Sequence, residues 1–222
     1  MSRVILDIET VGFPFDRFDE VQQDYLLRFS RTDEEKEEAK QKLSLYPTTA
    51  QVVAIGMFNP DTQRGKVLFQ AQRQETVTAG DGMVEFVSSD EKGILEQFWR
   101  DITHYKQFVT FNGRGFDCPF LMLRSAILGL APSKNLMPYR YDATIHCDLL
   151  EQFTFYGAFR KFNLDFYCKA FGIVSPKSHG VTGLDLGDLF KEGRFRDIAE
   201  YCLGDLKATA DLFLRWEKFL NV

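Results

Sequence analysis

The stretch Val4-Ile5-Leu6-Asp7-Ile8-Glu9-Thr10 decides how the rest of the chain is read. It is apolar and β-branched apart from two acids, and Gly12 and Pro14 follow at once. It is therefore predicted to be a buried strand with an abrupt end. Alternation puts Val4, Leu6 and Ile8 on one face and Ile5, Asp7 and Glu9 on the other. The two carboxylates are then about 7 Å apart by Cα spacing. Like charges at the end of an apolar strand repel each other and lose hydration, and a bound hard cation such as Mg²⁺ removes both penalties. The same residues also read as a strand end opening into solvent with two exposed acids. A metal needs further ligands, which the rest of the chain has to supply.

Working outward, the 222 residues are 45% hydrophobic with 22 phenylalanines. That is enough for one sizeable core, so a single domain over residues 1–222 is expected. A charged segment at about 16–46 reads as a helical insertion. In it Phe18, Val21, Tyr25, Leu26 and Phe29 recur at helical spacing, and Thr32 with Glu35 resembles a capping box opening a second helix through Leu43. Residues 33–42 hold five acids and three lysines, a solvated helix face rather than a phosphate clamp. Residues 51–58 and 66–70 are predicted strands joined as a hairpin, and 72–82 a polar loop. An amphipathic helix over 91–103 precedes a strand over 107–111. Asn112-Gly113-Arg114-Gly115 turns the chain into a helix over 117–128. The stretch 144–150 is ambiguous between strand and helix. Helices are predicted over 163–171 and 196–219, with a polar loop at 175–183. Strands followed by mixed helix and strand give an α/β sheet covered by helices.

The net charge of −5 excludes a broad basic surface for gripping duplex nucleic acid, though a small site could still hold one phosphate end. The four cysteines form no C-x-x-C pair, which excludes a zinc ribbon and fits a reducing, cytoplasmic compartment. No apolar run is long enough to span a membrane, and Asp7 and Glu9 interrupt the first apolar stretch, so no signal sequence is expected.

Two further acids stand out. Asp117 follows a strand and a Gly-rich turn and is followed by Pro119, which is also the pattern of a helix N-cap. On the last helix Ile198, Cys202, Leu206, Thr209, Phe213, Trp216 and Leu220 form one stripe, and Asp205 falls at its edge. Tyr201 is one turn earlier, so a Tyr–Asp hydrogen bond and a ligand role both fit Asp205. Phe116 fits either plain core or a contact to a bound ring. His146 and Asp148 read as structural. Lys177 and His179, in a polar loop, and Arg114, inside the Gly-rich turn, are the cations placed to reach a phosphate.

Taken in order, Asp7-Ile8-Glu9, Asn112-Gly-Arg-Gly-Phe116-Asp117 and Tyr201-Cys-Leu-Gly-Asp205 resemble the three motifs of DEDD-type 3′–5′ exonucleases. Position 200 is Glu rather than His, so the likeness is to the tyrosine branch. It extends to stand-alone bacterial proteins that are similar to the exonuclease domain of family-B DNA polymerases. The resemblance implies a ribonuclease H-like fold, a mixed central sheet flanked by helices. It implies two divalent cations, Mg²⁺ or Mn²⁺, held by Asp7, Glu9, Asp117 and Asp205. Tyr201 would orient the attacking water, and Thr10, Asn112 and Phe116 would lie near the terminal nucleotide. The implied substrate is the 3′ end of a single-stranded nucleic acid, DNA ahead of RNA, shortened to nucleoside 5′-monophosphates. A catalytically silent binding module on the same fold is the competing expectation.

Overall fold

A computed structural model describes residues 2–79, 81–175, 183 and 185–221. Lys177 and His179 lie outside the described residues. The predicted first strand is β1 (Arg3–Gly12), and its alternation decides the layering. Val4, Leu6 and Ile8 pack in one apolar cluster and Ile5 and Val11 in another, on opposite faces of the sheet. The remaining strands are β2 (Ala50–Phe58), β3 (Gly65–Gln70), β4 (Thr76–Thr78), β5 (Val84–Ser89), β6 (Gln107–Thr110) and β7 (His146–Asp148). They form a seven-stranded sheet in the order β4-β5-β3-β2-β1-β6-β7. Pairing is mixed: β1–β2, β2–β3 and β4–β5 are antiparallel, whereas β1–β6, β3–β5 and β6–β7 are parallel.

Helices cover both faces. On the Val4 face lie α3 (Glu91–Asp101) and α4 (Asp117–Ile127), which contribute Ile94, Leu95, Phe98 and Leu121. The opposite face carries α8 (Phe195–Phe219), whose Ile198, Cys202, Leu206 and Phe213 pack against Ile5 and Val53. The shorter α5 (Leu149–Phe153), α6 (Leu164–Phe171) and α7 (Leu186–Lys191) flank it. Leu220 falls beyond α8 and is partly exposed, so the stripe ends at Trp216.

The sequence differs from the structure where long-range pairing decides. Part of the expected loop at 72–82 is β4, an exposed edge strand held only by β5. Its Thr-Val-Thr has β-propensity but no buried face to give it a period. The ambiguous stretch 144–150 is both: β7 runs to Asp148, whose carboxylate then accepts from the Leu150 and Glu151 N–H groups and opens α5.

The charged segment forms α1 (Glu20–Leu27) and α2 (Asp33–Gln41), and the Thr32–Glu35 capping box is present. The second helix stops at Gln41, and a 3-10 turn over Lys42–Leu45 replaces its expected last residues. The apolar residues spaced along the first helix do not find the core. Val21, Tyr25 and Phe29 are exposed, with the Arg28 guanidinium over both rings. The segment attaches instead through Leu43, which is buried, and through the Ser44 carbonyl, which accepts from the Thr10 hydroxyl at 2.7 Å. No described helix is long and apolar enough to cross a membrane.

Candidate active site

β1 presents Asp7 and Glu9 toward α8. A register shift between Glu9 and Thr10 bends the strand where its apolar run ends, a device common beside active sites. Glu9 is only 7% exposed, and its Oε1 has no hydrogen-bond partner among the described residues. Asp7 Oδ2 lies 3.9 Å from the Cys202 thiol. Ligand atoms of Asp7, Glu9 and Cys202 all fall within 4.8 Å of one another.

Asp117 is the first residue of α4 and is buried at 4% exposure. Its side chain does not cap its own helix, so the N-cap reading is corrected. Asp117 Oδ1 instead accepts from the Ile8 N–H at 3.0 Å, between the two acids of β1. Tyr201 and Asp205 are joined by a side-chain hydrogen bond, the phenol donating to the carboxylate.

The electrostatics show that these acids form one group. Burial, and then the charges of Asp117, Glu9 and Asp205, hold the Asp7 carboxyl well above the usual range. Glu9 is raised by burial and by Asp205 and Asp117. Asp117 is pushed to about 7, chiefly by burial, against the stabilising N–H groups of its own backbone and of Ile8. Among the described residues, no basic side chain is a leading influence on any of the three. Burial and the same carboxylates also push the Tyr201 hydroxyl upward, so it stays protonated. The Cys202 thiol is raised for the same reasons and remains neutral. Carboxylates that raise one another's pKa values, with one oxygen lacking a hydrogen-bond partner among the described residues, fit a hard divalent ion, whose preferred donors are carboxylate oxygens and water. The protonated thiol is a weak donor to Asp7 rather than a ligand.

Asp148, read from sequence as structural, organises the loop leading to Asp117. One of its oxygens accepts from Asn112 N at 3.0 Å and the other from Arg114 N at 2.9 Å, while it also caps α5. Asn112 takes a left-handed backbone (φ 65°), which Asn tolerates well. A side chain at Gly113 would collide with Thr110. Phe116 is half-buried and tilted against Phe120 at 5.4 Å. The Arg114 guanidinium, offered from sequence as a phosphate contact, is engaged internally. It lies 3.5 Å from Glu151 and donates to the carbonyls of Pro138 and Tyr139. His146 is buried against Thr110 and Phe108, and burial brings it down to about 3, so it is neutral. Replacing Asp148 by Ala leaves four backbone N–H groups without their acceptor. The expected result is a loss of about 1–3 kcal/mol, seen as a lower melting temperature. An unchanged melting temperature contradicts this role.

A family described as "Predicted 3'-5' exonuclease related to the exonuclease domain of PolB" matches residues 48–221. The chain belongs to this family. The match starts after β1, so Asp7 and Glu9 precede it, as does the charged segment at 16–46. Over 177 residues this PolB-exonuclease-related chain is 30% identical to DNA polymerase 1 of Sulfurisphaera ohwakuensis, covering 72% of this chain and 19% of that protein. It is 22% identical over 182 residues to DNA polymerase 1 of Sulfolobus acidocaldarius, covering 75% and 20%. The chain thus spans about a fifth of these relatives. The structure of the family B DNA polymerase from Pyrobaculum calidifontis superposes with a TM-score of 0.63 at 17% identity, covering 98% of this chain and 25% of that one. The PolB-exonuclease-related chain therefore has an α/β, ribonuclease H-like fold.

Proposed function

We propose that this protein is a metal-dependent 3′–5′ exonuclease that removes nucleoside 5′-monophosphates from single-stranded DNA. The observation that carries this reading is the convergence of Asp7, Glu9, Asp117 and Asp205, whose charges act on one another, beside a protonated Tyr201. These four acids would hold two divalent ions, Mg²⁺ or Mn²⁺. Such ions supply Lewis acidity that activates water and stabilises the leaving 3′ oxygen. Tyr201 donates its hydroxyl proton to Asp205, which leaves its oxygen lone pairs free to accept from the attacking water and fix its orientation. Its raised pKa keeps the hydroxyl protonated, with no phenolate to act as a base, so it positions rather than deprotonates. Thr10, Asn112 and Phe116 surround the terminal nucleotide, with the exposed part of the Phe116 ring packing on sugar or base. DNA is favoured by the polymerase relatives, and single strands by the net charge of −5. Segment 16–46 is an insertion in a single domain, and the four buried free cysteines suit a reducing cytoplasm.

The test uses 5′-labelled single-stranded DNA and RNA with Mg²⁺, Mn²⁺ or EDTA, resolved by product length. A ladder shortening stepwise from the 3′ end, absent in EDTA, is expected. A single internal cut overturns the exonuclease reading, and binding without cleavage makes the protein a silent module. Tyr201→Phe loses only the hydroxyl. It is expected to lower kcat about tenfold to a hundredfold through misoriented water, with Mn²⁺ affinity by calorimetry unchanged. Loss of metal affinity along with rate assigns Tyr201 to organising the ligands instead.

A further inference from the structure

Residues 139–162 carry a surface that the acid site does not use. Tyr139, Tyr141, Phe155 and Phe159 are 74%, 57%, 58% and 66% exposed. They form two small clusters, Tyr139 on Tyr141 at 5.6 Å and Phe155 on Phe159 at 6.0 Å, with Tyr156 on Tyr141 at 4.7 Å. Single exposed aromatics are ordinary, but several together mark a binding surface.

The backbone holds them there. Phe155 and Tyr156 both have left-handed conformations, φ 48° and 57°, which bulky residues rarely adopt. The turn is fixed by Tyr156 N donating to the Glu151 carbonyl at 2.7 Å and Phe159 N to the Thr154 carbonyl at 3.2 Å.

Cations are interleaved with the rings. Arg160 and Lys161 are exposed and form no ion pair among the described residues. Arg140 is half-exposed and ties to Glu151 at 2.7 Å. Of the acids beneath, Glu151 is ion-paired with Arg140 and Arg114, and Asp148 accepts from backbone N–H groups. A cleft of about 270 Å³ joins this surface to the loop before Asp117, and Asn112, Gly115, Arg140, Glu151 and Lys161 line it. The next helix in the chain, α6, packs against α8, which carries Asp205.

We propose that this aromatic and basic surface is a stacking platform for the single strand upstream of the 3′ terminal nucleotide. The proposal rests on the exonuclease reading for the strand's direction. Planar rings in solvent give stacking partners to unpaired bases, and the interleaved Arg140, Arg160 and Lys161 follow the phosphates. Charge complementarity selects this occupant: Arg160 and Lys161 have no ion-pair partner among the described residues, on a chain whose net charge is negative. The surface is too short for a duplex, whose grip needs many phosphate contacts.

The test measures anisotropy of fluorescein-labelled oligothymidylates with EDTA-treated protein, over lengths up to about sixteen nucleotides. Wild-type affinity is expected to rise with length and then level off. Phe159→Ala and Lys161→Glu should each weaken binding of an oligomer of about eight nucleotides by about tenfold, with melting temperatures unchanged because both side chains lie in solvent. Hydrolysis of the p-nitrophenyl ester of thymidine 5′-monophosphate reaches only the acid site and should be the same in variants and wild type. Equal oligomer affinities in wild type and both variants overturn the platform, as does wild-type binding that does not depend on length. Length-dependent binding that both variants lose, in a wild type that hydrolyses neither substrate, supports the platform and overturns the nuclease reading.

Discussion

In EDTA, Asp7→Asn is expected to melt at a higher temperature than wild type and to have lost its nuclease activity. Asp7 is one of several clustered carboxylates that raise one another's pKa values, with no basic side chain among the leading influences from the described residues. Asn keeps the shape of the side chain and removes one repelling charge. The relief is about 1 kcal/mol, or roughly 2–4 °C for a chain of this size. Loss of a metal ligand removes several kcal/mol of transition-state stabilisation, at least about a hundredfold in rate. Saturating Mn²⁺ should raise wild-type stability by about 2.7 kcal/mol at a hundredfold excess over Kd, and the variant by less.

The same cluster sets the pH dependence. Folding raises these acid pKa values, with Asp117 near 7, against an unfolded value of about 4. The folded state therefore binds more protons over that window. Its stabilisation is complete below about pH 4 and is lost as pH rises through about 7. Melting of the EDTA-treated wild type should fall across this range, and Asp7→Asn should fall less. If the acids were ordinary hydrogen-bonded structural groups, Asn would destabilise by about 1–3 kcal/mol. A lower melting temperature in EDTA with no Mn²⁺ shift in wild type leaves the metal site without support.

Gly56→Ala should cost both stability and activity, although Gly56 makes no contribution to the chemistry. Gly56 pairs with Asp7 across the β1–β2 register, and α8 rests on it. A methyl group there would lie 2.8 Å from the Cys202 sulfur and 2.9 Å from Leu206 Cγ. Both neighbours belong to the turn of α8 that carries Tyr201 and Asp205, so the helix has to lift. Overpacking of this kind costs about 1–3 kcal/mol. A displacement of about 1 Å at the site lowers kcat by about a hundredfold. Thermal melts and single-turnover rates check both effects. A variant with wild-type rate and stability means that α8 is free to shift without disturbing the acids.

The acidic motifs and their elements were readable because each is local. Alternation over Val4–Thr10 assigned Asp7 and Glu9 to one face, and the apolar stripe of α8 placed Tyr201 and Asp205 one turn apart at its edge. The Thr32–Glu35 capping box also lies within one turn. Such signals depend on a few neighbouring residues and on the 2.0 and 3.6 periods of the backbone. Long-range partners left no such trace. Asp117 carries the sequence pattern of a cap, and only the approach of α4 to β1 hands its oxygen to Ile8 N–H, 109 positions away. Arg114 looked free inside its motif, but burial beside Glu151 and two carbonyls engages it. Val21, Tyr25 and Phe29 have the spacing of a core face, yet the tertiary fold leaves them in water. β4 has no buried face and exists only because β5 pairs with it. The sequence by itself determined on which local elements the four acids and Tyr201 sit. Tertiary structure decided which of them meet, because burial, strand register and the partner of each polar group depend on residues far apart in the chain.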